Sequence, residues 1–395
     1  MREGKIKVNQ GVMIKPQYQI FNSEGVGSFE EQWNDCLDSL LLFMEANPVQ
    51  KPFVVRVFIA ANNQEQYNNR SNLIKHRMDS LGIPFSVLAE APESPNLVLV
   101  EAGFINSSIH QLEYGNAAGI KYCKIESSGY AEYWLAGVEG EEESLAENAL
   151  NAFARLLQAF LHLGIGFDQI YRQWNYVEQI FGIQQIDGHL RQNYQVFNEA
   201  RAEYYSKYLT VTGFPAATGI GTAFNGVTIE CMAVVCDDDF KTIAISNPKQ
   251  TNSYKYGQDV LKGEPQKRAR QNQPPQFERA RLMTDGASSR LFVSGTASII
   301  GQETIGVGDI EMQTRVTIAN IQSLVCEENL RAHHLQLDAI PDKYAYVRVY
   351  VKNAEDIPVV KAICRGHYKD VPVTFVQADI CRADLLVEIE AEMVS

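Results

Sequence analysis

The sequence is short of several features that would identify a function class outright. No run of 18 apolar residues occurs in its 395, although 45% are hydrophobic, and this argues against a transmembrane helix. The N-terminal stretch MREGKIKVNQGVMIKP lacks the apolar core of a secretion signal, so no leader is expected. Seven cysteines (Cys36, Cys123, Cys231, Cys236, Cys326, Cys364 and Cys381) are scattered without a CxxC pair. An odd count with no leader predicts reduced thiols in the cytoplasm. Seven histidines (His76, His110, His162, His189, His333, His334 and His367) show no ligand spacing with cysteine, so no metal is expected. There is no Walker loop and no GxGxxG fingerprint; Gly219 and Gly221 lead into a strand, not a phosphate-binding helix. Basic residues are in deficit, 35 Lys and Arg against 48 Asp and Glu, for a net charge of −13. A nucleic-acid surface is not expected from that balance. The one basic cluster, Lys262–Arg270, reads as a solvated Gly/Pro/Gln-rich loop.

What is present is repetition. Near the C-terminus a helical pattern at 309–326 precedes an alternating strand at 344–352, a short helix at 354–364, and then VTFVQADICRADLLVEIEAE (373–392). That last segment reads as a strand, a tight turn and a second strand. The N-terminal region has the same order: a helix at 29–45, a strand at 53–60, a helix at 66–81, and strands at 83–91 and 96–104. Laying FVVRVFI on YVRVYV matches Arg56 with Arg348, Glu101 with Glu390, and Leu99 with Glu388. A looser middle copy has a strand at 133–140, helices at 143–162 and 190–208, and a strand at 169–177 that puts Arg172 at the Arg348 position. The chain therefore reads as three α+β units at 1–105, 106–237 and 238–395. Each is expected to have a mostly antiparallel sheet with two helices on one face.

These units resemble the RidA/YjgF family, whose trimers hold ligand clefts between subunits. The resemblance implies three RidA/YjgF-like (chorismate-mutase-like) repeats packed as a covalent pseudo-trimer. More specifically, six blocks in order resemble the chorismatases: IYRQWNYVEQI, YQVFNEAR, NPKQTNSYKYG, PPQFERA, LFVSGTASIIGQETIGVGDIEMQTR and ADICRADLLVEIEA. They lie within residues 165–395.

Chorismatases release pyruvate from chorismate, a dianion with an enolpyruvyl ether. Such a substrate calls for arginines to hold carboxylates and an acid to protonate the enol methylene. By resemblance, Tyr194, Arg201, Tyr256 and Arg279 bind substrate, with Arg281 a close competitor of Arg279. Tyr194 and Arg201 are seven residues apart, about two helical turns, and so share a face. Arg348 is carried as a further substrate contact. Glu388 matches the catalytic glutamate. An ordinary glutamate, with a pKa of about 4.3, is ionised at neutral pH, so the acid role requires burial. Glu390 is expected on the opposite face, where it would not share a proton with Glu388. Glu230 is an ambiguous counterpart in the middle unit. Cys381 paired with Gly295 resembles the 3-hydroxybenzoate-forming type, whereas alanine at both positions marks the hydrolytic type. The implied reaction needs no cofactor and takes place in the cleft between the second and third units.

The expected function is thus conversion of chorismate to 3-hydroxybenzoate and pyruvate, in a cytoplasmic monomer or homo-oligomer with no nucleic-acid or membrane partner. The alternatives are the hydrolytic chorismatase reaction, RidA-type imine deamination, and non-catalytic small-molecule binding. Imine deamination would need a carboxylate-binding arginine on the penultimate strand, where Val373–Gln377 stand instead.

Overall fold

A computed structural model describes residues 13–395 except 187, 210–212, 238, 239, 263, 266–270 and 334–338. Most of the basic cluster, His334 and the first twelve residues therefore lie outside the described residues.

The fold is α+β, with three main sheets and two small two-stranded ribbons among the described residues. The first part runs β1 (Gln17–Asn22), α1 (Phe29–Ala46), β2 (Gln50–Ile59), α2 (Gln64–Asp79), β3 (Phe85–Leu88), β4 (Ala91–Pro92) and β5 (Val98–Asn106). The second runs β6 (Gln111–Ala117), β7 (Ile120–Ser127), β8 (Tyr130–Glu139), α3 (Leu145–Leu163), β9 (Ile170–Glu178), β10 (Ile183–Ile186), β11 (His189–Gln192), α4 (Asn193–Tyr208), β12 (Ala216–Thr222) and β13 (Val227–Cys236). The third begins with β14 (Lys241–Ile245), β15 (Ala280–Thr284), β16 (Ser289–Ala297), β17 (Ile299–Ile300) and β18 (Glu303–Thr304). It continues through α5 (Ile310–Val325), α6 (Glu327–Ala332), β19 (Lys343–Val351), α7 (Ile357–His367), β20 (Val373–Gln377) and β21 (Val387–Val394).

One four-strand arrangement recurs in all three sheets. In β1-β5-β2-β3, β8-β13-β9-β12 and β16-β21-β19-β20 the first two pairings are antiparallel and the last is parallel. A parallel pair needs a crossover, and α2, α4 and α7 supply it. Local signals fix the helices. Ser28 and Glu31 form a reciprocal capping box at the start of α1. The apolar stripe of α3 (Ala149, Ala152, Phe153, Leu156 and Phe160) is buried, and the helix ends at Gly164 with φ of 69°.

Strand alternation divides each sheet into two faces. On β21, Val387, Ile389, Ala391 and Met393 pack into the third sheet's helix-covered core, while Glu388, Glu390 and Glu392 fill the other face and are also buried. That second face meets the other sheets in a shared aromatic core containing Phe58, Trp134, Trp174 and Tyr346. A ring of ion pairs crosses it. Glu101 accepts from Thr374 at 2.7 Å and pairs with Arg348, both from the third sheet. Glu390 pairs with Arg172 of the second sheet at 2.8 Å, and Glu230 with Arg56 of the first at 2.7 Å. Burial alone would raise the carboxyls of Glu101 and Glu390, but Arg348, with Arg56 and Arg172 respectively, holds both below the usual range.

Two sequence expectations are corrected. First, β20 and β21 are not joined by a tight turn. Both flank β19, one parallel and one antiparallel, and residues 378–386 cross between them. Second, Arg172 does not occupy the Arg348 position. Glu230 lies opposite Trp174, as Glu390 lies opposite Arg348 and Glu101 opposite Arg56. Arg172 is two residues earlier on the same face, a shift that period-two alternation cannot detect. Glu230 is accordingly the counterpart of Glu390, not of Glu388.

Candidate active site

A cleft between the second and third sheets encloses roughly 700 Å3 of empty space, counted to its open mouth. One wall is Tyr194 and Asn198 of α4 with Ala217 and Gly219 of β12; the other is Gly295 and Ala297 of β16 with Glu388 of β21. Residues 381–382, with Tyr256, residues 260–262, Pro275, Phe277 and Arg279, complete it.

Small residues make the room. A Cβ on Gly219 would stand 3.1 Å from the Tyr194 ring. Gly295 lies at a register shift between Val293 and Thr296, where β16 bulges against β21. A Cβ there would lie 1.9 Å from Glu388 Oε1. The bulge is pinned from behind: the Gly295 N–H donates to Thr218 Oγ1 at 3.0 Å, Arg172 donates to the same oxygen at 2.6 Å, and the Thr218 hydroxyl donates to Glu390.

Glu388 is 4% exposed, and no hydrogen-bond donor among the described residues reaches its carboxyl. Burial pushes its pKa up to about 8 and the Glu390 charge adds to this, while Arg172 and Arg279 pull the other way. Glu388 and Glu390 are two residues apart and share a face, which corrects the expectation that they point oppositely. Glu390 does not compete for the proton, because its own arginines keep it ionised. The pair thus has one protonated and one charged member near neutral pH, a separation suited to a general acid. Cys381, half-buried in the facing loop, has its thiol pushed up to about 12 by burial and by Glu388. It is a neutral wall, not a thiolate nucleophile.

Arg279, 3% exposed, donates to Tyr256 Oη at 2.7 Å and to the Thr251 carbonyl at 2.6 Å, leaving Nε buried without a partner. Arg281 turns away, to the Phe214 carbonyl and Thr242. Tyr194, Tyr256, Arg279, Gly295, Cys381 and Glu388 therefore converge on one cleft. Arg201 and Arg348 do not line it. Arg201 stands behind the wall, bonded to Asn198 at 2.6 Å and packed over Phe197. Arg348 is fully buried and spent on Glu101 and Glu390.

Sequence reasoning passed over Arg382. Its guanidinium lies 5.1 Å from the Tyr256 ring centroid and donates to the Gln302 carbonyl at 2.7 Å, with Nη2 buried and unpartnered. The signal was there, a cation beside Cys381 within a matched block. Lys262, assigned to a solvated loop, is exposed at the cleft mouth. Among the described residues no cluster of His, Cys, Asp and Glu could hold a metal ion, and no helix is long and apolar enough to cross a membrane.

Residues 107–233 match the family model Chorismatase FkbO/Hyg5-like, N-terminal. Over 231 residues the chain is 32% identical to a 3-hydroxybenzoate synthase of Streptomyces hygroscopicus, covering 57% of this chain and 63% of that protein. It is 34% identical over 230 residues to a chorismatase of Streptomyces rapamycinicus, covering 57% and 64%. The matches thus span just under two thirds of these curated relatives. A second Streptomyces hygroscopicus protein, named chorismatase, is 29% identical over 283 residues and covers 71% and 75%. A crystal structure of a chorismatase superposes with a TM-score of 0.70 over 97% of this chain and 99% of that one, at 22% identity, and shares the fold. Residues 107–233 thus match a chorismatase N-terminal domain, and the chain is similar to chorismatases over more than half of its length.

Proposed function

We propose that the protein converts chorismate to 3-hydroxybenzoate and pyruvate in the cleft between its second and third sheets. The observation that carries this reading is Glu388, a buried carboxyl protonated near neutral pH in a cleft that also holds Arg279 and Arg382. Each guanidinium keeps a buried N–H without a partner. An unsatisfied buried donor costs about 1–3 kcal/mol, and a substrate carboxylate at each would relieve that cost. Arg382 takes the place that resemblance gave to Arg201, which holds Asn198 and Tyr194 in position from behind.

Glu388 gives its proton to the enolpyruvyl methylene, and the ether carbon becomes oxocarbenium-like. The ring hydroxyl then attacks the neighbouring ring carbon and displaces pyruvate, which leaves with the ether oxygen, while the hydroxyl proton returns to the Glu388 carboxylate. The strained ring intermediate opens, loses a ring proton and aromatises. No water is consumed. In the hydrolytic alternative, water adds to the oxocarbenium carbon, and pyruvate and a dihydroxycyclohexadiene carboxylate result. Gly295 and Cys381 favour the first route by resemblance, and the names of the relatives support both.

The recurrent strand arrangement supports a reading as three repeats, near 1–105, 106–237 and 238–395, packed as a covalent pseudo-trimer. We place the enzyme in the cytoplasm, acting on a small molecule without nucleic acid. Incubation with chorismate and mass spectrometry of the products tests the proposal. Pyruvate with 3-hydroxybenzoate is expected, and an absence of pyruvate overturns it.

A further inference from the structure

The strand register places a second cleft, between the third and first sheets, in the same relation to its walls. Thr374 on β20 lies opposite Arg348 as Thr218 on β12 lies opposite Trp174. Val373 and Phe375 therefore hold the places of Ala217 and Gly219. Across the gap Asn22 pairs with Leu99 as Ala297 pairs with Glu388. The crossover helix α7 contributes Lys361 and Arg365 where α4 contributes Tyr194 and Asn198. This second cleft is open, with roughly 880 Å3 of empty space to its mouth. At the remaining junction, between the first and second sheets, the Lys75–Glu139 ion pair, at 2.8 Å, stands in the corresponding recess.

The lining defines a ligand. Ile20, Leu99, Val373 and Phe375 give an apolar floor. Lys361 is already paired with Glu93. Arg365, by contrast, is exposed and makes no ion pair among the described residues, so it is the cation free for an anion. Tyr368 also lines the cleft; it is 5% exposed and its hydroxyl is buried with no partner. One free guanidinium suits one carboxylate, an unpartnered hydroxyl suits one more polar atom, and the floor suits a ring. Leu99 stands in place of the acid, and the one carboxyl among the described lining residues, Glu93, is paired with Lys361.

We propose that this second cleft is a non-catalytic binding site for an aromatic monocarboxylate, held by Arg365 and Tyr368. The assignment stands on the cleft itself. Only its match to the product 3-hydroxybenzoate rests on the proposed function, and binding is read here without turnover.

Calorimetric titration of the full chain with 3-hydroxybenzoate, and with neutral 3-hydroxybenzamide, tests it. Binding of the carboxylate is expected to survive in Arg279→Ala and to weaken at least about tenfold in Arg365→Glu and in Arg365→Gln, about 1.4 kcal/mol. The amide is expected to bind at least about tenfold more weakly than the acid. Pyruvate release from chorismate, measured before product accumulates, should be unchanged in both Arg365 variants. Melting curves check that the variants are folded. Loss of binding in Arg279→Ala with retention in Arg365→Glu would place the ligand in the first cleft and overturn the proposal. Equal binding of acid and amide, or no binding in the unaltered protein, would also overturn it.

Discussion

The Glu388 carboxyl occupies the space that a side chain at Gly295 would take, with Oε1 only 1.9 Å from where a Cβ would stand. The acid and the glycine are thus one feature. The β16 bulge, pinned by Thr218, opens a slot, and β21 fills it with a buried carboxyl. This gives a physical basis for the link that resemblance proposes between residue 295 and product choice, since any larger residue must move the Glu388 carboxyl.

Gly295→Ala should displace Glu388. Misplacing a reacting group by about 1 Å can lower a rate by about 100-fold, so pyruvate release should fall about 10- to 100-fold. The share of dihydroxycyclohexadiene carboxylate should rise, and further in the double variant with Cys381→Ala. Chromatography with mass spectrometry gives the ratio. An unchanged rate and product would mean that the slot does not govern the acid.

The pH dependence follows from the raised pKa of Glu388. In the proposed role Glu388 works protonated, so kcat/KM should hold through neutrality and decline as pH rises past about 8. Burial, the main cause of the shift, disfavours the carboxylate, so a decline beginning near the ordinary glutamate range would contradict the assignment. The profile is read from pyruvate release over pH 6–10.

Arg279 and Arg281 are two residues apart, and only Arg279 lines the cleft. Arg279→Ala should raise KM for chorismate by about 100-fold, in line with about 2–3 kcal/mol for a charge-assisted bond. Arg281→Ala should leave KM within about twofold while lowering the melting temperature. Steady-state kinetics with a thermal melt separate the two.

We expect Arg348 to serve stability. It pairs with Glu101 and Glu390 at full burial, and removing one partner of such a network costs about 3–5 kcal/mol. Arg348→Met should therefore lower stability by that order in denaturant unfolding. A selective rise in KM with unchanged stability would return Arg348 to the substrate.

Much of this was legible in the sequence. Helical periodicity located α1, α3 and α5 to within two residues, and the six matched blocks led to Tyr194, Tyr256, Arg279, Gly295, Cys381 and Glu388. What failed did so for identifiable reasons. Arg172 and Trp174 share a face, so alternation could not choose which of them lies opposite Glu230; only the ladder does. Arg348 and Arg201 carry the charge that a dianion needs, but burial and partners decide whether an arginine meets a ligand or a neighbour. The tight turn assumed after Gln377 hid the fact that residues 378–386 span from one side of β19 to the other, and that crossing puts Arg382 over Tyr256.

The central claim is that Glu388 supplies the proton, and Glu388→Gln tests it most directly. The amide keeps the shape and the neutral charge of the protonated acid but cannot donate the acid proton. Pyruvate release from chorismate should fall at least about 1,000-fold, within the range ascribed to general acid catalysis, while chorismate binding measured by calorimetry stays within a few-fold of the unaltered protein. Pyruvate release at an undiminished rate in Glu388→Gln would contradict the account.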